Sequence, residues 1–297
     1  MFFFNLFMKI VNIIGGLGNQ MFQYAFAIAL KKRFPEEEVL IDTSHFKSYK
    51  LHNGFELDKI FDISLEVANK NQLQRVTRYI NNYFLSRIVR KLFPKLQSEC
   101  VELEDYKFES STLDISGDCY YEGYWQTWKY FCECEDVVRQ EFSSKIKLDD
   151  LSNTVLANML SHNSVAIHVR RGDYVNSKNF ADICTIEYYS KAIKYIKTSI
   201  ENPQFYIFSN DIDWCKSNLV DIIGESPVTY VTHNKGISSF KDMVLMSKAK
   251  CCIIANSSFS WWGAWLNSDP NHITIAPNKW VNSSDCNDIF PKDWILM

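Results

Sequence analysis

The apolar and polar positions of the chain alternate in blocks that predict strands and helices in turn. Residues 9–14 are a β-branched apolar run and 15–18 a glycine-rich turn. Asn19 is then placed to cap a helix to about Phe34, with Phe22, Phe26 and Ala29 on one face. Residues 39–42 read as a second strand, and this strand, helix, strand start predicts a parallel sheet covered by helices. Ile10 to Leu30 carries no charge and is long enough to span a membrane. Asn12, Gly15, Gly16, Gly18, Asn19, Gln20 and Gln23 interrupt it, which favours strand, turn and helix over a span.

From Asp58 to about Lys145 the pattern predicts helices, with aromatic clusters such as Tyr120, Tyr121, Tyr124, Trp125, Trp128 and Tyr130. The strand and helix alternation resumes after residues 146–150. Strands are expected over 165–169, 204–208, Val228–Val231, 252–255 and Ile273–Ala276, and helices over Ile186–Ser199, 213–218, 238–247 and after Ser258. The pattern predicts two α/β units with a break near 146–162, and domains at 1–155 and 156–297. Ligands of such sheets sit beyond the carboxyl ends of the strands.

Composition sharpens this. A chain of 297 residues with 46% hydrophobic and 23% charged positions has room for two cored domains and is not a disordered chain. A net charge of −3 excludes a strongly basic nucleic-acid binder. The near-neutral sum hides a segregation: from Val67 to Ser98 there are seven basic residues and no acidic one, whereas Glu99 to Asp136 holds eleven acids against Lys107 and Lys129. The nine cysteines show no repeated C-x-x-C spacing, which points to free thiols in a reducing cytoplasm. The apolar stretch before Met8 lacks a cleavage site and reads as an upstream start rather than a secretory signal.

Three polar loops at strand ends could carry chemistry. The first, Gly15-Gly16-Leu17-Gly18-Asn19-Gln20, has a dinucleotide-binding reading, with Asp42 as the acid for a ribose. Met21 stands where the third glycine belongs, so an NAD-dependent oxidoreductase is poorly supported. The second is His168-Val169-Arg170-Arg171-Gly172-Asp173-Tyr174. Adjacent arginines beside a sheet edge call for an anion or a carboxylate, and guanidinium forks fit phosphate. One arginine is expected to reach a ligand while the other braces the loop through an acid.

The third is Asn256-Ser257-Ser258-Phe259-Ser260-Trp261-Trp262-Gly263, where a strand gives way to a helix. A helix start with serines binds anions, while the simpler reading is an N-cap by Ser257 or Ser258 with Trp261, Trp262 and Trp265 as core. An arginine facing such a helix start suits a diphosphate. Asp211 and Asp213 form a competing pair that could hold a divalent metal, although Asp213 could instead cap the following helix. No motif of a P-loop ATPase, zincin or α/β-hydrolase is present. A non-enzymatic sugar-binding module is the remaining alternative, with aromatic rings stacking on sugars.

Taken together, Gly15 to Tyr24, His168 to Tyr174 and Asn256 to Trp265 resemble the α-1,2-fucosyltransferases of glycosyltransferase family 11, and Phe208-Ser209-Asn210-Asp211 and Asp242-Met243-Val244-Leu245-Met246 resemble two further blocks of it. The resemblance implies an α/β fold of GT-B type, two facing Rossmann-like domains with the acceptor on the N-terminal side and GDP-fucose on the C-terminal side. It implies metal-independent, inverting transfer of L-fucose to the 2-hydroxyl of a terminal β-galactoside, with no cofactor. It further implies Arg170 as the β-phosphate ligand, Asp242 as the guanine contact, and Ser257, Ser258 and Phe259 as the diphosphate-binding helix start. Arg171, Asn256, Gly16 and Gly18 are counted with the donor site.

His168 is expected to orient the arginine loop or line the pocket. Asp173 is either the general base or a support for Arg171, and Asn19 is expected to contact the reacting sugars from across the cleft. Lys178 stands where related core fucosyltransferases have an acid, so that solution for the base does not transfer. The basic block from Val67 to Ser98 is left unused by this chemistry. It is expected to be a solvated face, a dock for the acidic block, or a peripheral contact with anionic lipid near a lipid-linked acceptor.

Overall fold

The computed structural model describes residues 7–284 and 287–297. The reading of the chain start, and Cys286, fall outside or largely outside them. The chain divides into two compact units, residues 1–145 and 146–297. The expected boundary at 155/156 would cut the helix Asp150–Ser161, which belongs to the second unit.

In the first unit β1 (Met8–Asn12) and β2 (Glu38–Asp42) pair in parallel, from Met8 beside Glu38 to Asn12 beside Asp42. The helix Leu17–Arg33 joins them. It is buried along nearly its whole length to Leu30 and ends on Lys31, Lys32 and Arg33, whose charges favour a helix C-terminus. It starts two residues before Asn19. Gly16 is its N-cap and no side chain caps it, so Asn19 lies inside the first turn instead of capping it.

The middle of the chain differs from expectation. β3 (Glu99–Val101) and β4 (Cys119–Glu122) lie in the stretch read as helical, and complete a four-stranded parallel sheet in the order β2-β1-β4-β3. These strands are too short to show a period of two. Burial of Cys119, Tyr120 and Tyr121 against β1 decides their state. One face of the sheet packs Met8, Ile10, Leu40 and Tyr120 on Leu73 and Val76 of the helix Lys70–Val76.

The second unit follows the predicted alternation closely. β5 (Asn163–Val169), β6 (Pro203–Ser209), β7 (Val228–Val231), β8 (Cys251–Ile253), β9 (Ile273–Ala276) and an unanticipated β10 (Ile295–Leu296) form a parallel sheet in the order β10-β9-β8-β5-β6-β7. Val165, Ile167 and Val169 on one face of β5 pack on Tyr189, Ala192, Ile193 and Ile196 of the helix Ile186–Ser199. The three tryptophans Trp261, Trp262 and Trp265 are core, as expected.

Strand order places the functional loops. In the second sheet the chain runs outward from β5 to β6 and β7, then returns to the other side of β5 as β8. The direction of winding therefore reverses between β5 and β8, and the crevice beyond their carboxyl ends is where such sheets bind ligands. In the first sheet the same reversal falls between β1 and β4. This is an α/β fold of GT-B type, built from two parallel-sheet units.

Candidate active site

β5 ends at Val169, and Arg170 follows at once. Its Nη2 donates to Asp173 Oδ1 at 2.7 Å, and its guanidinium lies 5.3 Å from the ring centre of Tyr174, which itself stacks on Phe180. The Arg170 side chain keeps a third of its surface exposed. Arg171 points elsewhere. Its Nε donates to Asp211 Oδ2 at 3.1 Å, and its guanidinium covers the Trp214 ring at 4.4 Å. The two arginines divide as the alternation of the chain requires, but the acids are assigned differently from one expected alternative: Asp173 holds Arg170, not Arg171.

Gly172 permits this loop. It sits at φ +39°, and a Cβ there would lie 2.4 Å from Asn210 Nδ2. Asn210 Oδ1 accepts the Arg171 N–H at 2.9 Å, so the loop after β6 supports the loop after β5. Asp211 is engaged through both oxygens, with Oδ1 accepting the Trp214 N–H at 3.1 Å as the cap of the helix Ile212–Asn218. Capping thus falls to Asp211, not to the exposed Asp213. Among the described residues no three His, Cys, Asp or Glu side chains converge as metal ligands.

Beside β5, β8 leads into the helix Ser258–Trp265. Its N-cap position is Ser257, without a side-chain cap, and Ser258 and Phe259 form the first turn at the positive end of the helix. Asn256 serves the scaffold. Its Oδ1 accepts from Cys184 Sγ at 3.4 Å and its Nδ2 donates to the carbonyls of Phe180 and Trp280, joining three loops. The Phe259 ring centre lies 5.8 Å from that of His168, which brings the helix start against the arginine loop.

His168 is buried on the sheet face opposite Val165, Ile167 and Val169, and its Nδ1 has no hydrogen-bond partner among the described residues. Burial, reinforced by the Arg170 charge, lowers its pKa to about 3. The ring is therefore neutral at physiological pH and can present one acceptor or donor without adding charge.

Asp242 lies on the helix Phe240–Met246. Its Oδ1 accepts from Asn234 Nδ2 at 2.8 Å, and desolvation raises its pKa to about 7 against the lowering effect of that bond. Asn234 in turn accepts from the Ser152 hydroxyl, which also contacts His233 Nε2 at 2.9 Å. A carboxyl held from behind by an amide suits a ligand that offers N–H donors.

In the first unit the glycine turn lies at the reversal between β1 and β4. Gly15 has φ +92°, and a Cβ there would lie 2.9 Å from Asn19 Nδ2. Gly16 lies beside His52, and Gly18 is buried in the first helical turn. Gln20 Nε2 donates to the carbonyls of Gly15 and Gly54, while its Oε1 accepts the Glu56 N–H. Gln23 accepts from Ile14 N and donates to Gly123 O. Asn19 Oδ1 accepts from Gln126 Nε2 at 2.7 Å.

Asp42, the acid expected for a ribose, is buried. Its oxygens accept from the Ser44 N–H and the Tyr120 hydroxyl, both at 2.8 Å, so the oxidoreductase reading loses its second element.

The structure gathers His168, Arg170, Asp173, Ser257, Ser258 and Phe259 at one sheet edge, with Asp242 on a helix packed against Ser258–Trp265. Gly16, Gly18 and Asn19 belong to the other unit. The supports Asn210, Tyr174, Asn234, Gln20 and Gln23 were not singled out as site residues. For the glutamines a signal existed: amides one helical turn apart directly after a glycine turn face the loops on either side of it.

The model of the family described as glycosyl transferase family 11 matches residues 6–297. An α-1,2-colitosyltransferase of Escherichia coli is 38% identical, covering 96% of this chain and 97% of its own length. A galactoside α-(1,2)-fucosyltransferase 2 of Hylobates lar is 26% identical, covering 86% of this chain and 68% of its own. Among solved structures, NodZ α-1,6-fucosyltransferase soaked with GDP-fucose superposes with a TM-score of 0.53 at 14% identity, covering 88% of this chain and 93% of that one.

Proposed function

Because this chain belongs to glycosyltransferase family 11, we propose that it transfers L-fucose from GDP-β-L-fucose to the 2-hydroxyl of a terminal β-galactoside, with inversion, forming an α-1,2 linkage. The observation that carries this reading is that Arg170 and the helix start at Ser257–Phe259 both lie beyond the carboxyl ends of adjacent strands at the reversal of the sheet, with Phe259 against His168.

Cleavage of the bond between sugar and phosphate leaves positive charge on the sugar and negative charge on GDP. Fixed donors where the anion develops are worth about 10²–10³-fold each. Arg170, set by Asp173 and Tyr174, and the N–H groups of Ser258 and Phe259 supply them at the β-phosphate. Asp242 as carboxylate accepts the guanine N–H groups, and Asn234 orients it. Neutral His168 lines the nucleotide pocket without opposing Arg170. The acceptor proton leaves late, after much of the charge has formed on the donor, which lightens the demand on a base. The glycine turn with Asn19 serves the acceptor side, and no metal ion takes part.

A second donor is favoured by the 38% identity to an α-1,2-colitosyltransferase. Colitose is L-fucose without its 3-hydroxyl, so the nucleotide contacts are the same and only the sugar end differs. Incubation with GDP-fucose and GDP-colitose in turn, against soluble and lipid-linked β-galactosides, tests both. A new α-1,2 linkage in the NMR spectrum of the product identifies the donor. Absence of GDP binding in calorimetry would reject the whole reading.

A further inference from the structure

We propose that the helix Tyr83–Leu92 is an interfacial helix that seats the first unit on an anionic lipid bilayer. Unlike an ordinary surface helix, it turns most of its large apolar side chains outward. Its inward side is mixed: Ser86 is buried and donates to the Tyr83 carbonyl, Arg90 pairs with Glu122 of β4, the Tyr83 N–H donates to the Ser48 hydroxyl, and the Tyr83 ring packs on His45 and Tyr49. Its outward side is apolar. Phe84, Leu85, Ile88 and Leu92 are exposed by 60%, 53%, 52% and 71%, and Phe93 just beyond them by 54%. At about 100° per residue these four helical positions form one continuous arc, with Arg87 and Lys91 along its border.

Charge identifies the occupant. Among the described residues, the basic block from Val67 to Ser98 and the acidic block that follows it meet in two ion pairs, Arg75 with Asp118 and Arg90 with Glu122. Arg87, Lys91 and Lys95 have no carboxylate partner among the described residues, so the cations left over flank the apolar arc. Below the end of the helix a cavity of about 300 Å³ continues the surface, with Ile80, Val89, Phe93 and Leu103 in its walls beside Arg78 and Lys95. The carboxylates in its wall are engaged, Glu122 by Arg90 and Glu99 by the Thr77 hydroxyl and the Leu96 N–H. An apolar strip that sinks to the acyl boundary, bordered by cations at headgroup level, fits a phospholipid surface carrying net negative charge. A soluble acidic protein would leave the apolar arc unexplained.

The test needs no catalytic activity, so it stands apart from the proposed function. The full chain is floated with vesicles of phosphatidylcholine alone and of phosphatidylcholine with phosphatidylglycerol. It rises with the second and not the first. Ile88→Glu with Leu92→Glu abolishes flotation at unchanged thermal stability, since both side chains are exposed. Arg87→Gln with Lys91→Gln weakens partitioning by about fivefold per cation. The proposal is overturned if the folded chain ignores phosphatidylglycerol, or if Ile88→Glu with Leu92→Glu floats like the parent. It is equally overturned if only deletion of residues 1–6 abolishes flotation. A dimer in sedimentation velocity that the two glutamates dissociate, without vesicle binding, assigns the arc to a second copy of the chain instead.

Discussion

Arg171 donates to Asp211 at 3.1 Å while the other oxygen of Asp211 caps the next helix, so one carboxylate ties the loop after β5 to the element after β6. Arg171 is thereby turned toward the loop after β6, and the proposed anion-binding task is assigned to Arg170. Arg170→Ala is expected to lower kcat/KM for the donor by at least a hundredfold with an unchanged melting temperature. Arg171→Ala loses a half-exposed ion pair and the cover on Trp214, and is expected to cost about 1 kcal/mol, or a few degrees in Tm. Steady-state kinetics beside thermal melts separates the two. Activity of Arg170→Ala above a tenth of the parent would remove the phosphate role.

Asp173 sets the direction of Arg170 through a 2.7 Å hydrogen bond. Asp173→Asn keeps the shape but weakens a charge-assisted bond to a neutral one. The expected result is a loss in both GDP affinity, by calorimetry, and kcat. A fall in kcat alone, with GDP affinity intact, would instead make Asp173 the general base.

The pKa of Asp242 near 7 gives a pH dependence with a definite sign. A carboxylate that receives guanine N–H donors must be ionised, so GDP affinity falls as pH drops below 7, by about tenfold per pH unit well below it. Folding responds in the opposite sense. The folded value lies above the unfolded one, so ionisation is penalised in the native state and stability declines as pH rises from about 4 to about 7. Asp242→Asn is expected to abolish the pH slope of GDP binding, weaken GDP, and raise stability at pH 8. Calorimetry and denaturant melts at pH 6 and pH 8 check all three.

The oxygens of Asp211 are spent on Arg171 and on a helix cap. Transfer is therefore expected to proceed at full rate in excess EDTA. Loss of activity that manganese restores would return the Asp211 and Asp213 pair to consideration.

Much of the second unit was legible in its residues. Apolar strand runs and the helix Ile186–Ser199 with its cap at Thr185 leave local marks, because burial and capping act over a few neighbouring positions. The helix Asp150–Ser161 lies in the stretch read as a break, and Asp211, not Asp213, caps Ile212–Asn218. The three loops with candidate chemistry were legible for the same reason, since each is a polar break directly after an apolar strand. β3 and β4 were not. β4 pairs with β1 across about a hundred residues, β3 pairs with β4, and three or four positions carry no readable period.

The sequence by itself determined β1, β2 and five of the six strands of the second unit, which loops hold arginines, serines and glycines, and the family to which they belong. Only the tertiary structure decided what each of those side chains does. Asp173 could serve either arginine, Asp211 could serve a metal, and Asp42 could serve a ribose, until sheet order set their neighbours. β5 lies between β6 and β8, so Arg171 meets Asp211 on one side and His168 meets Phe259 on the other. Local spacing is encoded along the chain; the partner of a charged side chain is encoded in which distant strands lie side by side.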